Sequence, residues 1–166
     1  MFSLAGKSCV ITGASRGLGR AIALAFADQG ADVVLAARSV GDLEQVREEV
    51  LGKGRRAAVR PTDVTDVAQL KALAQAAVAS FGKIDVWVNN AGGDPSIEGG
   101  WNEFVDITED GWDRMIRLNL KAQVFGAQAA ARAMRDQGTG GSIIFLSSID
   151  SLYATPGGEG IYGACK

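Results

Sequence analysis

Histidine is absent from this 166-residue chain. That absence excludes Ser-His-Asp triads, Cys-His nucleophile pairs and most zinc sites in one step. Cysteine is scarce. Cys9 and Cys165 stand far apart and form no CxxC pair, so neither a disulfide framework nor a metal site is expected, and a reduced compartment such as the cytoplasm fits. Charge of one sign is lacking too: 17 Lys and Arg against 19 Asp and Glu leave a net charge of −2, which gives no reason to expect a nucleic-acid partner. Long hydrophobic runs are missing. The longest uncharged run, Gln137 to Ile149, is too short and too rich in Gly and Ser to span a bilayer. The stretch Met1 to Lys7 has no apolar segment of the kind a secretory leader needs.

What remains is the composition of a globular protein, 47% apolar and 22% charged, with enough residues for one domain over 1–166. Short β-rich runs alternate with helical stretches. Ser8 to Thr12, Asp32 to Ala36, Arg56 to Arg60, Ile84 to Val88 and Ser142 to Leu146 read as strands. A helix from Gly17 to Gln29 is expected to bury Leu18, Ile22, Ala25 and Phe26. A second, opened by a capping box of Ser39 and Asp42, buries Leu43, Val46 and Val50. A third, capped by Thr65 or Asp66, carries Leu70, Leu73, Ala77 and Phe81. A Gly-rich loop follows from Gly92 to Gly100. Thr108 then caps one long helix to about Gln137, with Trp112, Ile116, Leu120 and Val124 as its stripe. This alternation predicts an α/β fold: a doubly wound parallel sheet, Rossmann-like, with helices on both faces.

Between the first strand and first helix stand Gly13, Ala14, Ser15, Arg16, Gly17, Leu18 and Gly19. A phosphate needs bare backbone N–H groups and the positive end of a helix dipole, and glycines permit the close approach. The spacing is GxxxGxG rather than the GxGxxG dinucleotide fingerprint. The alternative reading is a glycine-rich turn that packs a helix on a strand. At the end of the second strand an acid would bond the ribose 2′-OH of NAD, but the chain has Ala36-Ala37-Arg38. Arg38, with Arg16, suits a 2′-phosphate by charge-assisted bonds. The expected cofactor is NADP(H), with NAD(H) as the second choice, and two plain surface arginines as the bland alternative.

The chain closes on Tyr162-Gly163-Ala164-Cys165-Lys166. On a helix, Tyr162 and Lys166 share a face, so an ammonium sits beside a phenol. A Tyr pKa drawn from about 10 towards 7, a shift of ~4 kcal/mol, makes the phenol an acid/base for a carbonyl reduced by hydride. Ser148 follows the fifth strand, at the edge where parallel sheets bind ligands. Its hydroxyl either bonds a substrate oxygen or caps its own backbone.

Six pieces now stand in order: Thr12 to Gly19, Asp63-Val64, Asn89-Asn90-Ala91-Gly92, Asn119, Ser147-Ser148 and Tyr162 to Lys166. With them the chain strongly resembles the classical short-chain dehydrogenase/reductase family, including its 3-oxoacyl-[acyl-carrier-protein] reductases. The resemblance implies a role for each matching position. Tyr162 would be the acid/base. Lys166 would lower its pKa and bind the nicotinamide ribose, and Ser148 would orient the carbonyl. Asn119 would hold a water in a proton relay. Asp63 would meet the adenine amine with Val64 beside the ring. Asn90, Ala91 and Gly92 would lie along the adenosine ribose, and Asn89 would serve a turn or the cofactor.

Two departures bear on this. Ser148 and Tyr162 are fourteen residues apart, one more than the commonest family spacing. Gly157, Gly158 and Gly160 would absorb the extra residue, or Ser147 would take the role. Family members also continue well beyond the pentapeptide, so the resemblance implies a dinucleotide-binding domain incomplete at its C-terminus. The segments beyond would hold the substrate lid and most contacts of a homodimer or homotetramer.

The leading expectation is an NADP(H)-dependent oxidoreductase that interconverts a carbonyl and a secondary alcohol. Its substrate would be a small molecule: a 3-oxoacyl thioester, a steroid, a sugar or a simple ketone. Trp101, Phe104 and Tyr153 border the substrate or pack the core. The other readings are a non-catalytic NADP(H)-binding or sensing module and a methyltransferase, which also places glycines after a first strand.

Overall fold

A computed structural model describes residues 3–93, 104–153 and 160–166. Trp101, Gly157, Gly158 and most of the loop from Gly92 to Gly100 lie outside the described residues, as does the side chain of Phe104. Five strands, β1 (Ser8–Thr12), β2 (Asp32–Ala37), β3 (Ala57–Pro61), β4 (Val86–Asn89) and β5 (Ser142–Phe145), form one sheet in the order β3-β2-β1-β4-β5. Every pairing is parallel, with Val10 opposite Val34 on one side and Trp87 on the other. The strand order reverses at β1, which makes the gap beyond β1 and β4 the topological switch point where ligands of such sheets bind.

The central strands are apolar on both faces because both are covered. Cys9, Ile11, Val33 and Leu35 pack under helices α1 (Gly17–Asp28) and α2 (Val40–Gly52). Val10, Val34, Ala36 and Trp87 pack under α3 (Val67–Phe81) and α5 (Ala122–Asp136). Asp66 starts α3 by accepting from Ala68 N at 2.8 Å. Gly82, at φ 80°, ends it in the left-handed conformation that glycine adopts without strain. At the N-terminal edge of the sheet, charge closes the fold. Buried Asp32 accepts from Arg55 at 2.6 Å and from the backbone and side chain of Arg56.

Four expectations need correction. Ser39 stands at the N-terminus of α2 but makes no side-chain capping bond. The long helix after Thr108 is three segments: α4 (Glu109–Ile116), a π turn (Arg117–Lys121) and α5. Its buried face is not the one the large side chains suggest. Trp112, Leu120 and Val124 are 47%, 40% and 51% exposed, while Met115 and Asn119 are fully buried and Gly126, Ala129 and Ala130 line the core side of α5. In α1, likewise, Leu18 and Ala25 face outwards and Gly19, Ala23 and Ala27 face in. The cause is close approach. A Cβ on Gly126 would sit 2.5 Å from Asn89 Oδ1, so the helix reaches β4 only because that side chain is missing. β5 is an edge strand, with Ile144 and Phe145 largely exposed.

Candidate active site

The parallel sheet brings the C-terminal ends of its strands to one edge, and the expected site residues sit along it. The β1–α1 loop is held open by glycine. Gly13 and Gly17 have φ of 67° and 55°. A Cβ on Gly19 would lie 2.2 Å from Gly13 O and 2.5 Å from Asn90 Nδ2. The loop is therefore bare backbone at a helix N-terminus, the donor set a phosphate takes, and it fits a dinucleotide. Leu18 is exposed on it, and Ala14 N bonds Ala36 O at 3.1 Å. That bond fixes the loop beside the end of β2, where exposed Arg38 follows; Arg16 is exposed in the loop itself and Ser15 is half-buried.

Thr12, which motif reasoning left without a role, ties this loop to the next one. Its buried hydroxyl donates to Val88 O at 3.2 Å and accepts from Asn90 N at 3.0 Å and Ala91 N at 3.1 Å. Asn90 Nδ2 returns the link to Thr12 O at 2.9 Å and Gly13 O at 3.3 Å. Asn89 serves the structure: its Oδ1 accepts from Trp87 Nε1 at 2.9 Å, and its Nδ2 is buried without a partner among the described residues. After β3, the Asp63 carboxylate accepts from Thr65 N and Oγ1 at 2.9 and 2.8 Å, and Val64 is buried beside α3.

Asn119 is fully buried in the π turn, an insertion that often marks functional helices. Its side chain clamps the backbone of Gly93, accepting from N at 2.8 Å and donating to O at 2.9 Å. Its own carbonyl accepts from Gln123 Nε2 at 2.8 Å. Gln123 escaped the sequence reading. The signal available was a lone Gln four residues after Asn119, on the buried face of an Ala-rich helix.

Helix α6 (Gly160–Cys165) carries Tyr162, and Lys166 follows its last residue, with Lys166 N bonded to Tyr162 O at 3.1 Å. Lys166 Nζ lies 5.5 Å from the Tyr162 ring centroid and donates to Leu146 O, just past β5, at 2.9 Å. A Cβ on Gly92 would be 3.1 Å from Lys166 Nζ and 2.9 Å from Asn119 Oδ1, so these three positions converge. Burial draws the Lys166 pKa below the ordinary lysine value, and the neighbouring Cys165 opposes that shift weakly. Burial also pushes the Cys165 thiol up, against the nearby Lys166 charge.

Ser148 is half-buried and caps a 3-10 turn (Ile149–Ser151), accepting from Asp150 N at 3.3 Å and donating to Asp150 Oδ2 at 2.7 Å. Its neighbour Ser147 is exposed and donates to Lys166 O at 3.0 Å. Tyr153 is exposed rather than core.

A nucleotide cradle at the switch point, a Tyr-Lys helix and a serine just past β5 thus share one sheet edge. The chain is similar to known proteins in sequence and in fold. Residues 7–166 match the short chain dehydrogenase family. The chain is 41% identical over 157 residues to L-rhamnose 1-dehydrogenase (NAD(P)(+)) of Sphingomonas sp. (strain SKA58), covering 94% of this chain and 59% of that protein. It is 36% identical to 2-dehydro-3-deoxy-D-gluconate 5-dehydrogenase of Dickeya dadantii (strain 3937), covering 91% and 57%. Among solved structures, carveol dehydrogenase from Mycobacterium avium in complex with NAD superposes with a TM-score of 0.91 at 29% identity, covering 99% of this chain and 62% of that one. The chain spans about three fifths of the length of these relatives. Sheet order, cradle and family match agree, and the methyltransferase alternative falls: the chain belongs to the short chain dehydrogenase family.

Proposed function

We propose that the protein carrying this chain is an NADP(H)-dependent oxidoreductase that interconverts a small-molecule carbonyl and a secondary alcohol. The observation that carries the reading is the Lys166 ammonium, pinned on Leu146 O at 2.9 Å and 5.5 Å from the Tyr162 ring, at the same sheet edge as the glycine cradle. A nicotinamide, when bound, supplies or takes the hydride. Tyr162 gives a proton to the substrate oxygen in reduction and removes it in oxidation. Lys166, one helical turn away, favours the phenolate by its charge. Ser148 orients the same oxygen through its hydroxyl. Asn119 holds Gly93, and with it the loop after β4, against Lys166, where a water of a proton relay has its place.

Gly13 to Gly19 hold the pyrophosphate on bare N–H groups. Asp63 and Val64 face the adenine, and Asn90 to Gly92 the adenosine ribose. Arg16 and Arg38, exposed where a 2′-phosphate falls, favour NADP(H) over NAD(H). The named activities of the relatives, on sugar-derived and terpenoid alcohols, support a carbonyl/alcohol substrate of small size. The same reading makes the protein a cytoplasmic homodimer or homotetramer. Among the described residues no helix is long and apolar enough to cross a membrane.

The test is a fluorescence titration with NADPH and NADH, joined to turnover on a panel of ketones and secondary alcohols. The expected result is tighter binding of NADPH, and a Tyr162→Phe variant that binds it as well as wild type but loses about 10²–10⁴-fold in kcat. Binding without turnover on any substrate refutes the catalytic reading and leaves a nucleotide-binding module.

A further inference from the structure

Asp150 belongs to none of the family pieces, yet the fold hangs its carboxylate on Ser148. The Ser148 hydroxyl donates to Asp150 Oδ2 at 2.7 Å and accepts from Asp150 N at 3.3 Å. A serine has one hydroxyl proton, and a carboxylate only accepts. While that proton points at Asp150, Ser148 offers a bound oxygen nothing but a lone pair. To orient a reacting carbonyl or alkoxide oxygen, the proton must turn from Oδ2 to that oxygen. The turn breaks a charge-assisted bond, a loss larger than that of a neutral one. A donor on the substrate, close to the reacting oxygen, would restore it.

The Asp150 backbone is also held against the helix of the Tyr-Lys pair. A Cβ on Gly163 would lie 2.4 Å from Asp150 O and 3.7 Å from Asp150 Cβ. The missing side chain lets α6 pack on the Asp150 backbone at a point between Tyr162 and Lys166. Ser151 fastens the same turn from the other side, its N and Oγ donating to Ser148 O at 3.2 and 2.6 Å. The backbone of the turn therefore stays in place while the serine proton turns.

We propose that Asp150 selects substrates with a hydroxyl on the carbon next to the reacting one: vicinal diols in oxidation, α-hydroxy carbonyls in reduction. On binding, the Ser148 O–H moves from Oδ2 to the reacting oxygen, and the adjacent substrate hydroxyl donates to Oδ2. No covalent bond changes in this exchange, and the number of hydrogen bonds on Oδ2 is kept. A plain alcohol or ketone breaks the Ser148–Asp150 bond and gives nothing back. The inference rests on the oxidoreductase reading above and deepens it to a substrate class.

The experiment uses the complete protein that carries this chain, with NADP⁺ and NAD⁺, on matched pairs: cyclohexanol against trans-cyclohexane-1,2-diol, and butan-2-ol against butane-2,3-diol. Wild type is expected to prefer the diol of each pair by at least about tenfold in kcat/KM. Asp150→Ala brings that ratio towards one, mostly through a raised KM for the diol. Asp150→Asn, which keeps an oxygen acceptor, gives an intermediate ratio. Equal turnover of diol and plain alcohol by wild type overturns the inference. So does an Asp150→Ala variant that loses activity on both members alike and keeps the ratio, which marks a merely structural residue. No reduced nicotinamide from any pair overturns the oxidoreductase reading, and this inference with it.

Discussion

Replacing Thr12 by Val tests whether one hydroxyl joins the two loops that build the site. Valine fills the same space, so the change removes hydrogen bonds rather than volume. Three go: the one donated to Val88 O at 3.2 Å and the two accepted from Asn90 N and Ala91 N at 3.0 and 3.1 Å. Thr12 is only 2% exposed, so water does not easily replace its oxygen. At about 1 kcal/mol net per bond, with some added penalty for stranded N–H groups, the expected loss is about 2–4 kcal/mol. For a chain of this size that lowers the melting temperature by roughly 5–15 °C. The assay is urea unfolding, where the midpoint should fall with no change in m. Thr12→Ser keeps the oxygen and should lose about 1 kcal/mol or less, for one methyl group. If Val is as stable as Ser, the hydroxyl is not the tie between the loops and the reasoning fails.

Two further outcomes follow from the core and the far edge. Gly126→Ala should destabilise by about 1–3 kcal/mol, read from the same urea midpoint, because its Cβ would fall 2.5 Å from Asn89 Oδ1 and disturb the bond from Trp87. Asp32 is pushed up by its own burial, but Arg56, through side chain and backbone, and then Arg55 outweigh that and hold its pKa below the usual carboxylate value. A depressed carboxylate stabilises the fold above its unfolded pKa of about 3.9 and loses that contribution as pH falls through its folded value. Asp32→Asn should therefore be less stable than wild type at pH 6, with the gap closing in stability measurements as pH falls below about 4.

Much of the fold can be read from the chain because parallel strands buried on both faces are continuous apolar runs, as in Cys9-Val10-Ile11 and Val33-Val34-Leu35. Helix existence is equally plain; helix facing is not. In α1 and α5 the contact with the sheet is made by Gly19, Ala23, Gly126 and Ala130, residues that periodicity discounts because they carry little side chain. Large residues such as Trp112 and Val124 then look like core and are surface. The site divides in a similar way. Tyr162, Lys166, Ser148 and the glycine loop advertise chemistry by residue type and spacing. Thr12 and Gly163 act on backbone distant in the chain: Thr12 on residues after β4, Gly163 by leaving room for Asp150. Nothing local in the sequence marks those two partnerships, whereas Gln123 reaches only one helical turn back, to the π turn.

The two edges of the sheet divide stability from chemistry. At the N-terminal edge, buried Asp32 is closed by Arg55 and Arg56, and Asp85 by Lys7, Lys83 and the N–H of Ser8. Both carboxylates there are met by cations and have little left to offer a ligand. At the C-terminal edge the groups are glycine backbone, hydroxyls, amides and the Lys166 ammonium, whose bond to Leu146 O leaves its charge uncancelled by any carboxylate among the described residues. Burial that lowers the Lys166 pKa works against stability, since the unfolded chain binds that proton more tightly than the folded one. An ammonium held at such a cost one turn from a phenol is what the proposed acid/base pair requires. Lys166→Met should then raise the urea midpoint at pH 7 while abolishing turnover, and a variant that loses both stability and activity would show that the ammonium is there for packing.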